Sequence, residues 1–284
     1  MNDLLRIHPE VRDTLADGGA VVALESTITT HGLPRPDNLE AARMSEAAVR
    51  AAGAVPATVA AHDGRLLVGL SDEELVELAD ARDIPKVSRQ NLAGVLSGPG
   101  WGGTTVAGTM IAAHLAGIRV FATGGIGGVH RGGESSMDIS ADLEELGRTP
   151  VTVVCAGPKS ILDVGRTLEA LETRGVPVVG FGSDEVAGFY SRSSGHPAPM
   201  RVDTPEQAAA LIDMQHSLGL SGGVLVTQPL PAEVALPEAE VAACVEQAEE
   251  EAHAAGIRGP ASTPFVLARV AELTNGRSVV ANLE

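Results

Sequence analysis

The sequence contains few cysteines and aromatic residues and carries little positive charge. Of its 284 residues only two are cysteines, Cys155 and Cys244, and 2% are aromatic. Neither cysteine belongs to a CxxC pair or lies near histidines at zinc-ligand spacing, so we expect neither a disulfide framework nor a zinc site. The formal net charge of -17 at pH 7 would repel a phosphate backbone, and we therefore expect no nucleic-acid partner.

Long hydrophobic runs are also missing. The longest apolar stretches, such as Val21–Leu24 and Val151–Ala156, suit buried strands and are far too short to cross a bilayer. The opening residues, MNDLLRIHPEVRDTL, lack the pattern of a secretory signal. We therefore expect a cytoplasmic protein with no membrane partner and, at 44% hydrophobic composition, a single domain over residues 1–284.

Lysine is the rarest of the charged residues. Lys86 and Lys159 are the only lysines, while the other 18 basic residues are arginines. Arginine supplies charge but stays protonated, whereas lysine loses its proton when it is desolvated and can then form an imine. Either lysine is a reactive or ligand-binding group, or both are surface residues kept by chance.

Alternation of short β-branched runs with Ala- and Leu-rich segments predicts βα units around a mainly parallel sheet. The predicted strands are AVVALE, ATVAAHD, RVFATGG, VTVVCAG, VPVVGFG and GGVLVTQ. The predicted helices are Asn38–Ala52, Asp72–Ala81, Thr104–Ala116, Lys159–Arg174, Thr204–Leu218 and Ala232–Ala255. Open α/β sheets bind ligands beyond the carboxyl ends of their strands, so residues that directly follow the predicted strands are the candidates for function.

Two candidate catalytic residues follow predicted strands. Lys159 is predicted to open a helix after VTVVCAG, with Pro158 in its first turn, where the helix dipole and partial burial would favour the neutral amine. The alternative is a lysine that points to solvent beside the sheet. Glu25 ends the run AVVAL and suits general acid or base chemistry. Its alternative role is to cap the following polar loop through Ser26 and Thr27.

The segment GGESSMDISADLEEL offers carboxylates for a metal. Asp138 and Asp142 stand four residues apart, so both would lie on one face if the segment were helical. One or two carboxylates plus water usually hold Mg²⁺ or Mn²⁺. The alternative is that these aspartates cap a helix start. Met137, Trp101, Tyr190 and Cys155 are interpreted as packing residues.

Two glycine-rich stretches indicate phosphate binding by backbone amides. SGPGWGG fits GxGxxG, but no strand is predicted before it and no acid follows at the expected distance, so a dinucleotide fingerprint is not expected. Thr104 and Thr105 are predicted to start a helix whose free amides suit a phosphate, and TGGIGGVHRGG offers a second bare turn. Lys86, His130 and Arg131 are candidate phosphate neighbours, although His130 also suits a plain loop role.

Several long motifs resemble those of the pseudouridine-5'-phosphate glycosidase family, which includes the indigoidine synthase A-like proteins. In chain order they are VALESTITTHGLPRPDN, KVSRQNL, GGTTVAGTM, TGGIGGVHRGGESSMDISADL and VCAGPKSILD. FYSRSSG, LGLSGGVLV, TPFVLARVAELTNGRS and the terminal AN are similar too, so the resemblance spans nearly the whole chain. Members usually continue with a further helix after the AN motif, whereas this sequence ends at Glu284.

The resemblance implies an enzyme that reversibly cleaves pseudouridine 5'-phosphate, with water, to uracil and ribose 5-phosphate. It implies an α/β/α sandwich with a central mainly parallel sheet, a homotrimer and Mn²⁺ as cofactor. By motif, the nucleophile falls on Lys159, the proton donor on Glu25 and the metal aspartate on Asp138. The implied substrate contacts are Lys86, Val106, Ser140, Ala141, Asp142 and a base-contacting Asn282.

Two other functions remain open from the sequence. Relatives tied to the pigment indigoidine share the motifs, so the same site could act on a related sugar phosphate. A non-catalytic module that keeps the pocket would bind a sugar phosphate without covalent chemistry.

Overall fold

The computed structural model describes residues 3–33, 35–257 and 262–283. The chain divides into two compact units. Unit 1 comprises Met1–Thr123 and Arg148–Val153, and unit 2 comprises Gly124–Gly147 and Val154–Glu284. The single domain expected over residues 1–284 stays a prediction.

Unit 1 is built on mixed strand pairing. Its elements are β1 (Leu5–Ile7), α1 (Pro9–Ala16), β2 (Val21–Leu24), a π-helix (Ile28–Gly32), α2 (Asp37–Ala51), β3 (Val55–His62), β4 (Arg65–Val68), α3 (Asp72–Asp80), β5 (Lys86–Val87), α4 (Leu92–Leu96), β6 (Trp101–Thr104), α5 (Val106–Ala116) and β7 (Val120–Ala122). The strands run in the order β1-β4-β3-β2-β7, and β6 joins β3 to β5. β2 is parallel to both β3 and β7, whereas β3 is antiparallel to β4 and β6.

Unit 2 contains parallel strands and most of the long helices. Its elements are α6 (Gly133–Ser136), α7 (Ala141–Leu146), β8 (Thr152–Cys155), α8 (Val164–Thr173), β9 (Val178–Phe181), β10 (Met200–Val202), α9 (Pro205–Ser217), β11 (Leu225–Thr227), α10 (Glu238–Ala254), α11 (Ser262–Leu273) and α12 (Arg277–Leu283). The division between the units falls within β8. β9 is parallel to both β10 and β11, and the amide of Gln228 donates to the carbonyl of Cys155 at the end of β8.

Helix ends are set by recognisable caps. Ser71 and Glu74 form a capping box at α3, in which each side chain accepts a hydrogen bond from the other residue's amide. Thr105 caps α5, which ends on Gly117 in the left-handed region. α5 is apolar on all sides, as expected of a buried helix, because Val106 to Met110 are all buried.

The α/β class and the mainly parallel pairing are confirmed, and all six predicted strands form. Three helix starts were predicted too early, at Thr104, Lys159 and Ala232. The last predicted helix begins at Glu238 rather than Ala232, because Pro237 occupies the cap position and the amides of Val234 and Ala235 close a turn on Pro231. None of the described helices combines the length and the apolar character that a bilayer crossing requires.

Candidate active site

Glu25 lies at the carboxyl end of β2, where strand register places it beside Thr123. Leu24 of β2 pairs with Ala122 of β7 in a parallel ladder, so the next residue on each strand is Glu25 and Thr123. The Thr123 hydroxyl donates a hydrogen bond to Oε1 of Glu25, and the Thr27 hydroxyl donates to Oε2. The predicted loop-capping role is therefore partly confirmed, since Thr27 contacts the carboxylate directly.

Ser26 ties this strand end to the end of β6. The amide of Thr104 donates to Oγ of Ser26 at 2.9 Å, and the Thr104 hydroxyl donates to the carbonyl of Val59 at 2.8 Å. The prediction that Thr104 begins a helix is wrong, because Thr104 is the last residue of β6. α5 begins at Val106, and the Thr105 hydroxyl accepts a hydrogen bond from the amide of Gly108. The amide of Gly108, one of those expected to bind phosphate, is therefore already hydrogen-bonded to Thr105.

Lys86 and Val106 meet at the same end of unit 1. Lys86 pairs with Gly103 in the parallel ladder of β5 and β6, and the amide of Thr105 donates to the carbonyl of Val87 at 3.0 Å. Val106 is 1% exposed. We name Glu25, Lys86, Thr105 and Val106 the strand-end cluster.

His31 is a further member of unit 1 near Lys86. Its Nε2 lies 3.0 Å from the carbonyl oxygen of Ile84, and its Nδ1 lies 2.7 Å from the Thr30 hydroxyl. Burial lowers the pKa of His31, and the positive charge of Lys86 lowers it further. The ring is therefore held mainly neutral near pH 7.

In unit 2, the glycine-rich segment from Gly124 to His130 is held by backbone hydrogen bonds on both sides. On one side, the carbonyl of Gly128 accepts from the amide of Ser140 at 2.9 Å, and the amide of His130 donates to the carbonyl of Asp138 at 3.0 Å. On the other, the amide of Lys159 donates to the carbonyl of Ile126 at 3.1 Å. We name His130, Asp138, Ser140, Ala141, Asp142 and Lys159 the glycine-turn cluster.

Gly127 is needed where this segment passes Ser140 and Asp142. A Cβ atom on Gly127 would lie 2.3 Å from Oγ of Ser140 and 2.8 Å from Oδ2 of Asp142, closer than side chains pack. The Gly127 amide instead donates to Oδ2 of Asp142 at 2.8 Å. Ser140 also caps α7 by accepting from the amide of Asp142, and Ala141 is the first residue of that helix.

The predicted helix start at Lys159 is wrong, although the helix itself forms over Val164–Thr173. Pro158 forms a parallel bridge with Ile126, so Lys159 extends a strand-like segment instead of opening a helix. α8 begins at Val164, where the Asp163 side chain accepts a hydrogen bond from the amide of Arg166. The helix-dipole argument for Lys159 therefore does not apply. Lys159 is half-buried, and no described residue forms a hydrogen bond or ion pair with its Nζ.

Asp138 and Asp142 do not share a helix face. Asp138 precedes α7, while Asp142 lies within it and is 6% exposed. The Asp138 carboxylate has no hydrogen-bond or ion-pair partner among the described residues. No group of three or more His, Cys, Asp or Glu residues suited to a metal occurs in the described part of the chain. These donors fit a hydrated hard cation held by one carboxylate, and do not fit an all-protein cage.

Three further predicted site residues lie in unit 2, namely Asn282, His130 and Arg131. Asn282 of α12 faces the glycine-rich segment, because its Oδ1 lies 3.1 Å from the position of a Cβ on Gly124. His130 is half-buried. Arg131 lies 3.6 Å from a carboxylate oxygen of Glu249, and with Ser160 it lines a separate cleft of about 430 Å³.

The predicted packing residues have mixed outcomes. Cys155 and Tyr190 are buried, and burial raises the pKa of Tyr190. Trp101 stacks on His62 with ring centroids 3.9 Å apart. The prediction for Met137 is wrong, because the residue is 74% exposed and lies in the left-handed region with φ of 56°.

Sequence reasoning missed Thr123. Its signal was available, because Thr123 directly follows the strand run VFA at a carboxyl end, where ligand-binding residues of α/β proteins concentrate. The prediction chose the glycines that follow Thr123 and left Thr123 itself out.

Comparisons with known proteins agree with this architecture. The sequence model of the indigoidine synthase A-like proteins matches residues 10–284. A relative from Methylobacterium nodulans is 57% identical over 280 residues, which is 99% of this chain and 83% of the relative. One from Paracoccus denitrificans is 57% identical over 285 residues, which is 100% of this chain and 94% of the relative. Both relatives are named pseudouridine-5'-phosphate glycosidase.

Two solved structures share the fold over almost the whole chain. The crystal structure of the prealnumycin C-glycosynthase AlnA in complex with ribulose 5-phosphate has a TM-score of 0.92 at 41% identity, covering 100% of this chain and 92% of that chain. An indigoidine synthase A-like protein from Thermotoga maritima has a TM-score of 0.87 at 34% identity, covering 99% and 90%. Fold and clusters thus define an α/β protein with a lysine beside a glycine-rich turn. The chain belongs to the indigoidine synthase A-like family.

Proposed function

We propose that this chain is a pseudouridine-5'-phosphate glycosidase, which cleaves the carbon-carbon glycosidic bond to give uracil and ribose 5-phosphate. The relatives that carry this activity in their names are 57% identical over essentially the whole chain. The observation on the molecule that carries the proposal is Lys159, whose amine has no partner among the described residues and whose backbone is fixed to the glycine-rich segment.

Carbon-carbon bond cleavage explains why a lysine is needed. Paired carboxylates suffice for ordinary glycosides, whose leaving group is an oxygen. Uracil leaves through carbon and takes the bonding electron pair with it. The anomeric carbon therefore needs a neighbouring lone pair with which to form a new double bond. A lysine nitrogen at the anomeric carbon supplies its lone pair and forms an imine.

The proposed reaction proceeds in three balanced steps. The Lys159 amine bonds to the anomeric carbon while the bond to the ring oxygen breaks, and Glu25 relays the proton from nitrogen to that oxygen. The carbon-carbon bond then breaks, its electron pair goes to the uracil carbon, which takes a proton from solvent, and the nitrogen lone pair forms a protonated imine. Water hydrolyses the imine, which releases ribose 5-phosphate, the free amine and a proton.

The remaining residues of both clusters are assigned to binding. Lys86 supplies a positive charge for the phosphate, the amide of Val106 suits its oxygens, and Thr105 stays a proposed substrate contact. Ser140, Ala141 and Asp142, at the start of α7, and His130 are proposed substrate contacts. Asn282, which faces Gly124, is proposed to contact the base.

We further propose a divalent cation, Mn²⁺, at Asp138. When bound there, it would supply positive charge for the oxygens of the sugar phosphate. The supporting observation is the half-buried carboxylate of Asp138, which is unpaired among the described residues. The homotrimer implied by the resemblance and the cytoplasmic location expected from the sequence stay predictions, and sedimentation equilibrium would test the first.

Borohydride trapping tests the covalent step. Incubation with ribose 5-phosphate and borohydride, followed by peptide mass mapping, is expected to place a reduced pentose phosphate adduct on Lys159. Binding of ribose 5-phosphate without any adduct would instead favour a non-catalytic sugar-phosphate module. An adduct on Lys86 would reverse the roles of the two lysines.

A synthetic enzyme is the second candidate, favoured by the likeness to a C-glycosynthase at 41% identity. Such an enzyme would join a sugar phosphate to an acceptor other than uracil. Release of uracil from pseudouridine 5'-phosphate at rates that saturate with substrate would decide for the glycosidase. Trapping of a pentose phosphate without any uracil release would decide for the synthetic enzyme.

A further inference from the structure

We propose that Thr123 is a positioning residue that acts through Glu25, fixing its carboxylate together with Thr27. This inference rests on the proposed function, because it gives Glu25 the proton transfers. Thr123 would contact neither substrate nor metal, and would act only on the orientation and charge of that carboxylate.

Strand register places the two residues together. The parallel ladder of β2 and β7 pairs Val22, Ala23 and Leu24 with Val120, Phe121 and Ala122. Glu25 and Thr123 are the next residues on these strands, so their Cα atoms are neighbours at the carboxyl end of the sheet. The position of Thr123 is thus set by main-chain pairing and does not depend on a mobile loop.

Each oxygen of Glu25 receives its own donor. Thr123 donates to Oε1 and Thr27 donates to Oε2. A hydroxyl has a single proton, so neither threonine can donate elsewhere while it holds the carboxylate. Hydrogen bonds to both oxygens favour the ionised carboxylate and stop rotation about its terminal bond. That is the form and orientation required to accept the proton of an attacking amine.

Fixing a carboxylate matters because proton transfer depends steeply on geometry. A misplacement of about 1 Å can cost about 100-fold in rate. Removing the Thr123 hydroxyl takes away the donor to Oε1 of Glu25 and loosens that carboxylate, so we expect the rate constant to fall while substrate affinity changes little. The expected loss in kcat is about 10- to 100-fold.

Unit 1 offers a matched control in a second threonine–glutamate pair. The Thr58 hydroxyl donates to Oε1 of Glu46 at 2.5 Å, between β3 and α2. Thr58 is 2% exposed, and Glu46 is half-buried. This pair has the same chemistry but belongs to neither cluster, and Thr58 is more deeply buried than Thr123. Thr58→Val therefore reports what losing such a hydrogen bond does to stability alone.

The experiment compares kcat and KM for pseudouridine 5'-phosphate cleavage in wild type, Thr123→Val, Thr123→Ser and Thr58→Val. We expect Thr123→Val to lower kcat about 10- to 100-fold with KM within about threefold. Thr123→Ser, which keeps the hydroxyl, should recover most of that loss. Thr58→Val should keep kcat near the wild-type value. If Thr123→Val does not fold, Thr123→Ala replaces it.

A double mutant tests whether Thr123 acts through Glu25. In a Glu25→Gln background, Thr123→Val should lower kcat no further, because the carboxylate it positions is gone. Additive losses, or a Thr123→Val enzyme with wild-type kcat, would overturn the inference. Wild-type protein that releases no uracil would instead refute the proposed function, so the two failures are distinguishable.

Discussion

The strand-end cluster of unit 1 and the glycine-turn cluster of unit 2 hold their side chains in different ways. In the first, Glu25 is held by two hydroxyls at the ends of paired strands. In the second, the backbone is pinned by hydrogen bonds on both sides of Gly124–His130, while Lys159 and Asp138 have no side-chain partner among the described residues. The first cluster fixes the carboxylate of its proposed acid-base residue, whereas the second fixes the main chain and leaves the side chains of Lys159 and Asp138 unpaired among the described residues.

This difference matches the roles proposed for the two clusters. A proton-transfer group works best when its charge state and direction are set before substrate binds. A nucleophile or a metal ligand must instead exchange partners during the reaction, and a permanent hydrogen bond would have to be broken first. The comparison therefore predicts that charge-conserving changes are severe at Lys159 and mild at Lys86.

The largest expected effect is that of Lys159→Arg. The positive charge is kept, but a guanidinium cannot form an imine, so kcat should fall by about 10⁴-fold or more while ribose 5-phosphate still binds. Lys86→Arg is the matched control in the other cluster, and we expect mainly a higher KM there. Steady-state kinetics and calorimetry measure both variants. Comparable kcat losses in Lys159→Arg and Lys86→Arg would contradict the proposal that only Lys159 is the nucleophile.

Strand positions in both units were predictable because β-branched runs leave a clear signal. β6 was not predicted, since WGGT carries no alternation and has two glycines and a single β-branched residue, Thr104. Its glycines are needed for close approach, because a Cβ on Gly103 would lie 2.2 Å from Oγ1 of Thr30 and one on Gly102 2.6 Å from Val87. Such a requirement depends on tertiary neighbours and leaves no local pattern.

The sequence predicted which residues are candidates for catalysis, but not which neighbours hold them in place. Strand ends and family motifs located Glu25 and Lys159. The donors to Glu25 depend on the pairing of β2 with β7, strands separated by almost 100 residues. Lys159 was assigned to a helix because a proline before it suits a first turn, whereas Pro158 actually bridges Ile126. A single sequence cannot tell these two uses of proline apart.

The second expected effect concerns Asp138→Asn. Removing the only unpaired carboxylate proposed for the cation should weaken Mn²⁺ binding at least about 10-fold and leave chelator-treated enzyme unrestored by added Mn²⁺. Glu134→Gln is the control, because that carboxylate lies in the same segment but is paired with Arg166 at 2.6 Å. Electron paramagnetic resonance titration measures Mn²⁺ affinity directly. Equal affinity in wild type and Asp138→Asn would give Asp138 a structural role.

The third effect tests the pinned backbone of the glycine-turn cluster. Gly127→Ala places a methyl group against Ser140 and Asp142, so we expect a loss of about 1–3 kcal/mol in stability and a higher KM. Gly94→Ala in α4 is the control, since a Cβ there meets nothing within 4 Å. Thermal unfolding and KM for pseudouridine 5'-phosphate report both changes. A normal KM in Gly127→Ala would separate this turn from substrate binding.

The smallest expected effect is the pH response of the strand-end cluster through His31. Burial and then Lys86 lower the pKa of His31, so the folded state binds its proton less readily than the unfolded state. The stability it contributes is complete above the unfolded pKa of about 6.5 and is lost as pH falls below that value. Tm should therefore drop between pH 7.5 and pH 5.5, and His31→Gln should shrink that drop by about 1–2 °C. His253→Gln, at an exposed position of α10, provides the control, and an equal shrinkage in both variants would exclude a specific contribution from His31.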